Sequence, residues 1–191
     1  MHHVRLYGSA FVFAGLLACA AAAPAHADGG SVFTLGSGLG VSILMPDDGD
    51  NATIFSAPQT GALIATGPGF RLGTVTANRE FEVGLDLSAW WISSGGESSH
   101  TLMMGIDFEK HFPHGATGPF IGVDGGFSSQ NLFSDGTQGY LGAGVGIRHI
   151  VGGDNGSVKF AVRGRHFFDT TDLPTYNVLE FAVAFDLWMP Q

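Results

Sequence analysis

Two pairs of carboxylates in this sequence have a spacing that suits general acid–base chemistry. Glu80 and Glu82 are two residues apart, and so are Asp107 and Glu109. In an extended strand, residues i and i+2 point to the same face, so each pair would share a face. Two neighbouring carboxyl groups can divide the roles of proton donor and proton acceptor. Their use in catalysis then depends on substrate access to the element that carries them.

Histidine and glycine motifs give only weak evidence for a metal site or a phosphate-binding loop. His111 and His114 form a close pair at a predicted turn, but the sequence offers no third metal ligand beside them. The Gly-x-Gly runs at 36–40 and 142–146 open no helix, so they lack the context of a phosphate-binding loop. We therefore predict no metal and no cofactor, and we interpret these glycines as small residues of an interior.

The elements that would position these residues are β-strands. Apolar residues alternate with small or polar residues along 33–188, and no sustained helical period is present. The alternation predicts eight strands, at about 33–43, 69–77, 80–91, 100–112, 118–128, 139–151, 157–168 and 176–188.

The connections between these strands alternate in length. Short turns rich in Gly, Asn or Pro are predicted at 77–78, 113–117 and 152–156, and longer connections at 45–68, 92–99, 129–138 and 169–175. This pattern predicts an all-β fold, an eight-stranded antiparallel up-and-down transmembrane β-barrel with its short turns and termini on the periplasmic side. The acidic segment 45–68 is the longest connection and the predicted recognition surface.

Composition favours a membrane barrel over a soluble one. The 191 residues include 8 Lys and Arg against 17 Asp and Glu, with 45% hydrophobic and 13% charged residues. This hydrophobic content argues against disorder, and the absence of a basic cluster argues against nucleic-acid binding. A soluble surface is normally rich in Lys and Glu, yet Lys110 and Lys159 are the only lysines.

Residues 1–27 have the pattern of an export signal. Arg5 precedes an apolar stretch from Ala10 to about Ala23, and Ala25-His26-Ala27 is a small-x-small cleavage site. We predict a signal peptide at 1–27, an outer-membrane β-barrel domain at 28–191, and a location in the outer membrane of a Gram-negative bacterium. Cys19 would either be removed with the signal or become the lipidated first residue of a lipoprotein.

Strand parity places most charged residues inside the barrel. Arg71 would lie near Glu82 or Asp86, and Arg163 would lie opposite Glu180. We interpret these residues as an interior salt-bridge network. Eight strands leave an interior that is only wide enough for side chains, so a narrow small-solute channel is the less favoured alternative.

Aromatic residues near strand ends predict two belts at the membrane interfaces. One belt would lie beside the long connections and the other beside the short turns. The first comprises Trp90, Trp91, Phe127, Tyr140, Phe167, Phe168 and Tyr176, and the second comprises Phe81, Phe112, Phe120 and Trp188.

The strand pattern, the run Pro119-Phe120-Ile121-Gly122, the glycine-rich segment 141–146 and the ending 158–188 resemble small outer-membrane barrels of the OmpA-like and opacity-like superfamily. The last strand resembles the C-terminal signal that the outer-membrane assembly machinery recognises. From about residue 79 onward, the chain is more particularly similar to the PagL family of lipid A 3-O-deacylases.

The PagL resemblance implies a catalytic His166 with Glu180 fourteen residues later, acting on lipid A. Phe168 stands at the position where that family has its nucleophilic serine, and Asp169 stands where it has an asparagine. Parity places His166 on the lipid-facing side and Glu180 on the inner side.

Our leading hypothesis is a monomeric, non-enzymatic outer-membrane barrel with a structural or surface-interaction role. Its expected partners are outer-membrane lipid, lipopolysaccharide and the assembly machinery. The alternatives are a PagL-type hydrolase or its degenerate relative, and the narrow channel.

Overall fold

A computed structural model describes residues 31–47, 50–59, 69–94, 97–112, 114–130, 136–153, 155–170 and 173–190. The predicted signal peptide lies outside these residues. The strands are β1 (Val32–Pro46), β2 (Ala52–Gln59), β3 (Gly69–Val75), β4 (Phe81–Ser94), β5 (Glu97–His111), β6 (Thr117–Gln130), β7 (Gly136–Val151), β8 (Gly156–Phe167) and β9 (Tyr176–Pro190). Within the described part of the chain, no helix is long and apolar enough to cross a membrane.

Eight of these strands close into an antiparallel barrel. β1 pairs with β3, the strands from β3 to β9 pair consecutively, and β9 pairs back with β1. The closing ladder runs without a register break from Val32↔Pro190 to Pro46↔Tyr176. The predicted fold class is therefore confirmed. We call the end with the β3–β4, β5–β6 and β7–β8 turns the lower end, and the opposite end the upper end.

β2 occupies part of the segment that was predicted as a long loop. It pairs with the upper half of β1, from Leu44↔Ala52 to Gly38↔Gln59, with a register shift between Gly38 and Gly40. β3 pairs with the lower half of β1. The predicted loop at 92–99 was also too long, because β4 and β5 remain paired as far as Ser94↔Glu97.

The alternation in the sequence becomes an inside and an outside. Along β4, Glu82, Asp86 and Ser88 are buried in the lumen, while Phe81 is exposed on the outer wall. Interior glycines make room for large charged side chains: a Cβ at Gly142 would lie 2.6 Å from Cγ of Arg165. The sequence therefore builds an apolar wall around a narrow interior that holds the candidate site.

Candidate functional site in the barrel lumen

Arg71 is the centre of the buried charge network. Its Nε atom donates to Asp107 at 3.0 Å, and its NH2 group makes a second, short contact with the same carboxylate. Its guanidinium lies 3.0 Å from Glu82, 3.6 Å from Glu109 and 3.9 Å from Asp86. Arg71 therefore contacts both predicted partners, but it makes its two-pronged contact across the lumen with Asp107 on β5.

Lys159 joins three carboxylates near the lower end. Its Nζ atom donates to Glu109 at 2.7 Å and to Glu82 at 2.9 Å, and it lies 3.1 Å from Asp186. The Ser157 hydroxyl donates to Asp186 at 3.2 Å. These groups come from β4, β5, β8 and β9, so one ammonium connects strands around much of the barrel.

Arg163 was predicted to lie opposite Glu180 and to pair with it, and only the first part of this prediction is confirmed. The two residues are directly opposite in the β8–β9 ladder. The Arg163 guanidinium, however, lies 2.5 Å from Glu109, whereas Glu180 accepts a hydrogen bond from Arg165 at 2.7 Å. Arg165 also contacts Asp124 on β6. These long side chains extend past the residues opposite them in the ladder and form ion pairs with residues of more distant strands.

Aromatic side chains lie in the lumen above and below this network. At the upper end, Phe167 stacks on Tyr140 at 5.1 Å and on Tyr176 at 4.4 Å between ring centroids. At the lower end, Arg79 and Arg148 lie 5.2 Å and 5.7 Å from the ring centroid of the buried Trp188. The space left beside the charges is a cavity of about 40 Å³, which is room for roughly two or three water molecules.

This arrangement corrects the predicted aromatic belts. Side chains that were expected at the membrane interfaces are in fact buried in the lumen, namely Tyr140, Phe167, Tyr176, Phe120 and Trp188. Phe81, Phe112, Phe127 and Phe168 are exposed as predicted. The side chains of Trp90 and Trp91 lie outside the described part of the structure.

The two carboxylate pairs predicted from the sequence lie in different surroundings. Asp107 and Glu109 are both buried in the network, where they contact Arg71. Glu82 is buried as well, but Glu80 lies outside the network and accepts a bond from Lys110 at 2.5 Å. Glu80 and Glu82 therefore do not form one site, whereas Asp107 and Glu109 are held together in ion pairs inside the lumen.

The residues that the PagL resemblance implied, His166 and Glu180, lie on opposite sides of the barrel wall. His166 is exposed on the outer wall, where Nδ1 lies 3.0 Å from Oδ1 of Asn177. Glu180 is buried in the lumen and pairs with Arg165. Phe168 packs edge-on against His166, with 5.1 Å between ring centroids, and it offers no hydroxyl group.

His111 lies in the lumen, which was not predicted from the sequence. It was paired with His114, but His114 is exposed in the β5–β6 turn whereas His111 is 1% exposed. Its Nε2 atom lies 3.3 Å from Glu82 and 3.2 Å from Glu109. The missed signal was parity, because His111 shares its strand face with Asp107 and Glu109.

The comparisons with known proteins identify the fold class. No protein-family model matches the sequence, and no curated protein matches it. The crystal structure of Neisserial surface protein A matches with a TM-score of 0.60 at 14% identity, over 83% of this chain and 98% of that one. The solid-state NMR structure of the outer-membrane protein AlkL matches with a TM-score of 0.53 at 10% identity, over 88% and 95%.

The chain therefore has the fold of small eight-stranded outer-membrane barrels. The crystal structure of the outer-membrane enzyme PagL also matches, with a TM-score of 0.45 at 14% identity, over 83% of this chain and 99% of that one. A likeness of this size does not single out PagL among such barrels, so the specific PagL resemblance stays a prediction.

Proposed function

We propose that this chain is an integral protein of the Gram-negative outer membrane, with a non-enzymatic role in the envelope that its external connections carry out. The observation that carries the proposal is the orientation of the wall. Large apolar side chains stand out from the middle of the strands, while charged side chains fill the lumen. A soluble barrel would need the opposite arrangement.

The outer wall supports a lipid environment. Leu187, Leu141, Val123 and Val145 are each more than half exposed, and they lie on β9, β7 and β6. Soluble monomers rarely expose contiguous apolar patches beyond a few hundred Å². In a bilayer, the same wall would contact acyl chains, as it does in other transmembrane barrels.

The closed lumen favours a structural role over the channel. Among the described residues, ion pairs occupy the middle of the lumen, stacked aromatic rings lie above them and Trp188 lies below, with a cavity of about 40 Å³ beside the charges. For the hydrolase, the separation of His166 and Glu180 by the barrel wall is unfavourable, and Phe168 supplies no nucleophile.

The β1–β2 connection is the best-supported recognition surface among the described residues. Asp47, Asp50 and Asn51 are exposed there, at the upper end. In the proposed orientation this end faces outward, and divalent cations could bridge these carboxylates to the phosphates of lipopolysaccharide. The β1–β9 ladder closes the barrel within one chain, which supports a monomer. We further propose export by residues 1–27 and insertion by the assembly machinery through the last strand.

The orientation of the wall is tested by two arginine substitutions on one strand. Val145 lies near the middle of β7 and Val151 at its lower end, and both side chains face outward. We expect Val145→Arg to lower the free energy of unfolding in lipid vesicles by about 2–4 kcal/mol, and Val151→Arg by about 0–1 kcal/mol. Urea titration followed by tryptophan fluorescence measures both values. Equal, small effects at the two positions, with a protein that stays in solution without detergent, would contradict the proposal.

A further inference from the structure

We infer that the lumen contains a binding site for one divalent metal ion, of which Zn²⁺ is the best match, formed by Glu82, Glu109 and His111. The site lies near the lower end, where β4 and β5 bring the three residues together. It goes beyond the proposed envelope role, because it concerns the interior and not the external connections.

The two distances from His111 to the carboxylates match the spacing of metal ligands, and all three donor atoms lie within 4.8 Å of one another. His111 Nε2 lies 3.3 Å from Oε2 of Glu82 and 3.2 Å from Oε2 of Glu109. Bonds of about 2.0–2.2 Å at tetrahedral angles place the ligands of Zn²⁺ roughly 3.3–3.5 Å apart. One imidazole nitrogen with two carboxylate oxygens is also a donor set that Zn²⁺ accepts, with a fourth position open to water.

His111 points Nε2 at the two carboxylates, at hydrogen-bond distance but without the geometry of a hydrogen bond. Its side chain is 1% exposed, and neither ring nitrogen has a hydrogen-bond partner among the described residues. A buried polar atom without a partner is costly. A metal ion bonded to Nε2 would remove that cost at this nitrogen, which makes the imidazole an independent indication beside the two carboxylates.

The charge balance of the lumen gives a second argument. The buried ionisable side chains of the described residues comprise seven carboxylates and five lysines or arginines. Carboxylates therefore outnumber the lysines and arginines by two, or by one when Arg79 at the lower end, 5.2 Å from the ring centroid of Trp188, is included, and unbalanced charge is costly in a poorly hydrated space. A bound divalent cation would add positive charge where carboxylates are in excess. The carboxylates are Glu82, Asp86, Asp107, Glu109, Asp124, Glu180 and Asp186, and the cations are Arg71, Arg148, Lys159, Arg163 and Arg165.

Lys159 is the competing cation at this site. Its Nζ atom contacts Oε2 of both Glu82 and Glu109, at 2.9 Å and 2.7 Å. A metal ion on the same oxygens requires the ammonium to withdraw, and Asp186, at 3.1 Å, is in place to receive it. Metal affinity should therefore rise when the charge of Lys159 is removed.

The test uses the full chain refolded in detergent and stripped of metal with a chelator. Zn²⁺ binding is measured by calorimetry, and Co²⁺ serves as a probe because a tetrahedral site changes its visible absorption. We expect one Zn²⁺ per chain, affinity weakened by at least about tenfold in His111→Gln, and unchanged affinity in His114→Gln. The last variant is the matched control, since His114 lies three residues away in the exposed turn.

A third variant, Lys159→Met, tests the competition. We expect it to bind Zn²⁺ more tightly than the wild type and to gain more thermal stability from the added metal. Electrophoresis without boiling verifies that each variant is folded before its binding is compared. The inference is wrong if neither the wild type nor Lys159→Met binds Zn²⁺, or if His114→Gln loses binding as much as His111→Gln.

Discussion

The interior network predicts a large loss of stability when Arg71 is replaced by methionine. Methionine keeps an unbranched stem of similar kind but lacks the charged end, which leaves Asp107, Glu82 and Glu109 without the guanidinium that they share. Removing one partner of a buried ion pair costs about 3–5 kcal/mol. Because several carboxylates depend on Arg71, we expect the upper part of that range. Urea unfolding of the refolded protein in lipid vesicles, followed by tryptophan fluorescence, measures the change.

Two further variants isolate the electrostatic contribution. Leu72→Met on the outward face of the same strand should change stability by no more than about 0.5 kcal/mol. Adding Asp107→Asn to Arg71→Met removes one of the uncompensated charges, so the two losses should be non-additive by about 0.5–3 kcal/mol. A loss of less than about 1 kcal/mol in Arg71→Met, with additive behaviour in the double variant, would refute the view that charge pairing holds this lumen together.

Two other predictions concern the interior glycines and lipid A. Gly142→Val should cost about 1–3 kcal/mol in the same assay, because a Cβ there would lie 2.6 Å from Cγ of Arg165, whereas at Gly139 the nearest atom is 3.7 Å away and valine should be tolerated. Lipid A from cells with and without the protein should have the same mass, and His166→Ala should change nothing, because His166 and Glu180 face opposite sides of the wall. Loss of a 3-linked acyl chain that depends on His166 would contradict the non-enzymatic proposal.

The sequence predicted the strands of the barrel well, because period-two alternation is a strong local signal. It did not predict β2, whose segment contains Pro58 and leads into the run Gly67-Pro68-Gly69. Proline has no N–H group to donate to the hydrogen bonds of a sheet, so within sheets it is found in edge strands, at the first residue of a strand or at bulges. In the structure β2 is the terminal strand of the sheet order, a position that tolerates Pro58. The residue types that argued for a loop are thus compatible with an edge strand.

The predicted aromatic belts were partly wrong because the prediction used only the position of each residue along its strand and not its parity. Tyr140, Phe167 and Trp188 were assigned to interfacial belts from their position along the strands. Their parity, however, matches that of Arg148, Arg165 and Asp186 on the same strands, which are all interior. Distance from a strand end gives the depth of a residue, whereas parity gives its side of the wall. Both are needed to distinguish an interfacial belt from a layer that closes the lumen.

The pairing of charges was beyond the reach of sequence reasoning for a geometric reason. Strand order predicts which residues are neighbours along the wall, such as Arg163 and Glu180. In a barrel this narrow, however, long side chains reach strands that are not neighbours. Arg71 on β3 binds Asp107 on β5, and Lys159 on β8 binds Glu82 on β4. These partners depend on the radius of the barrel and on the free space beside interior glycines. Neither quantity can be derived from a short stretch of the sequence.

The same geometry makes the interior cooperative across the whole ring. Three of the five buried lysines and arginines among the described residues, Arg71, Lys159 and Arg165, contact carboxylates from more than one strand, so a change of charge on one strand alters the partners of other strands. Substitutions in this network should therefore couple even when they lie far apart along the wall, while substitutions on the outer wall should add independently. Coupling of this kind is what the proposed structural role requires, since it would make the barrel a rigid support for the connections at its upper end.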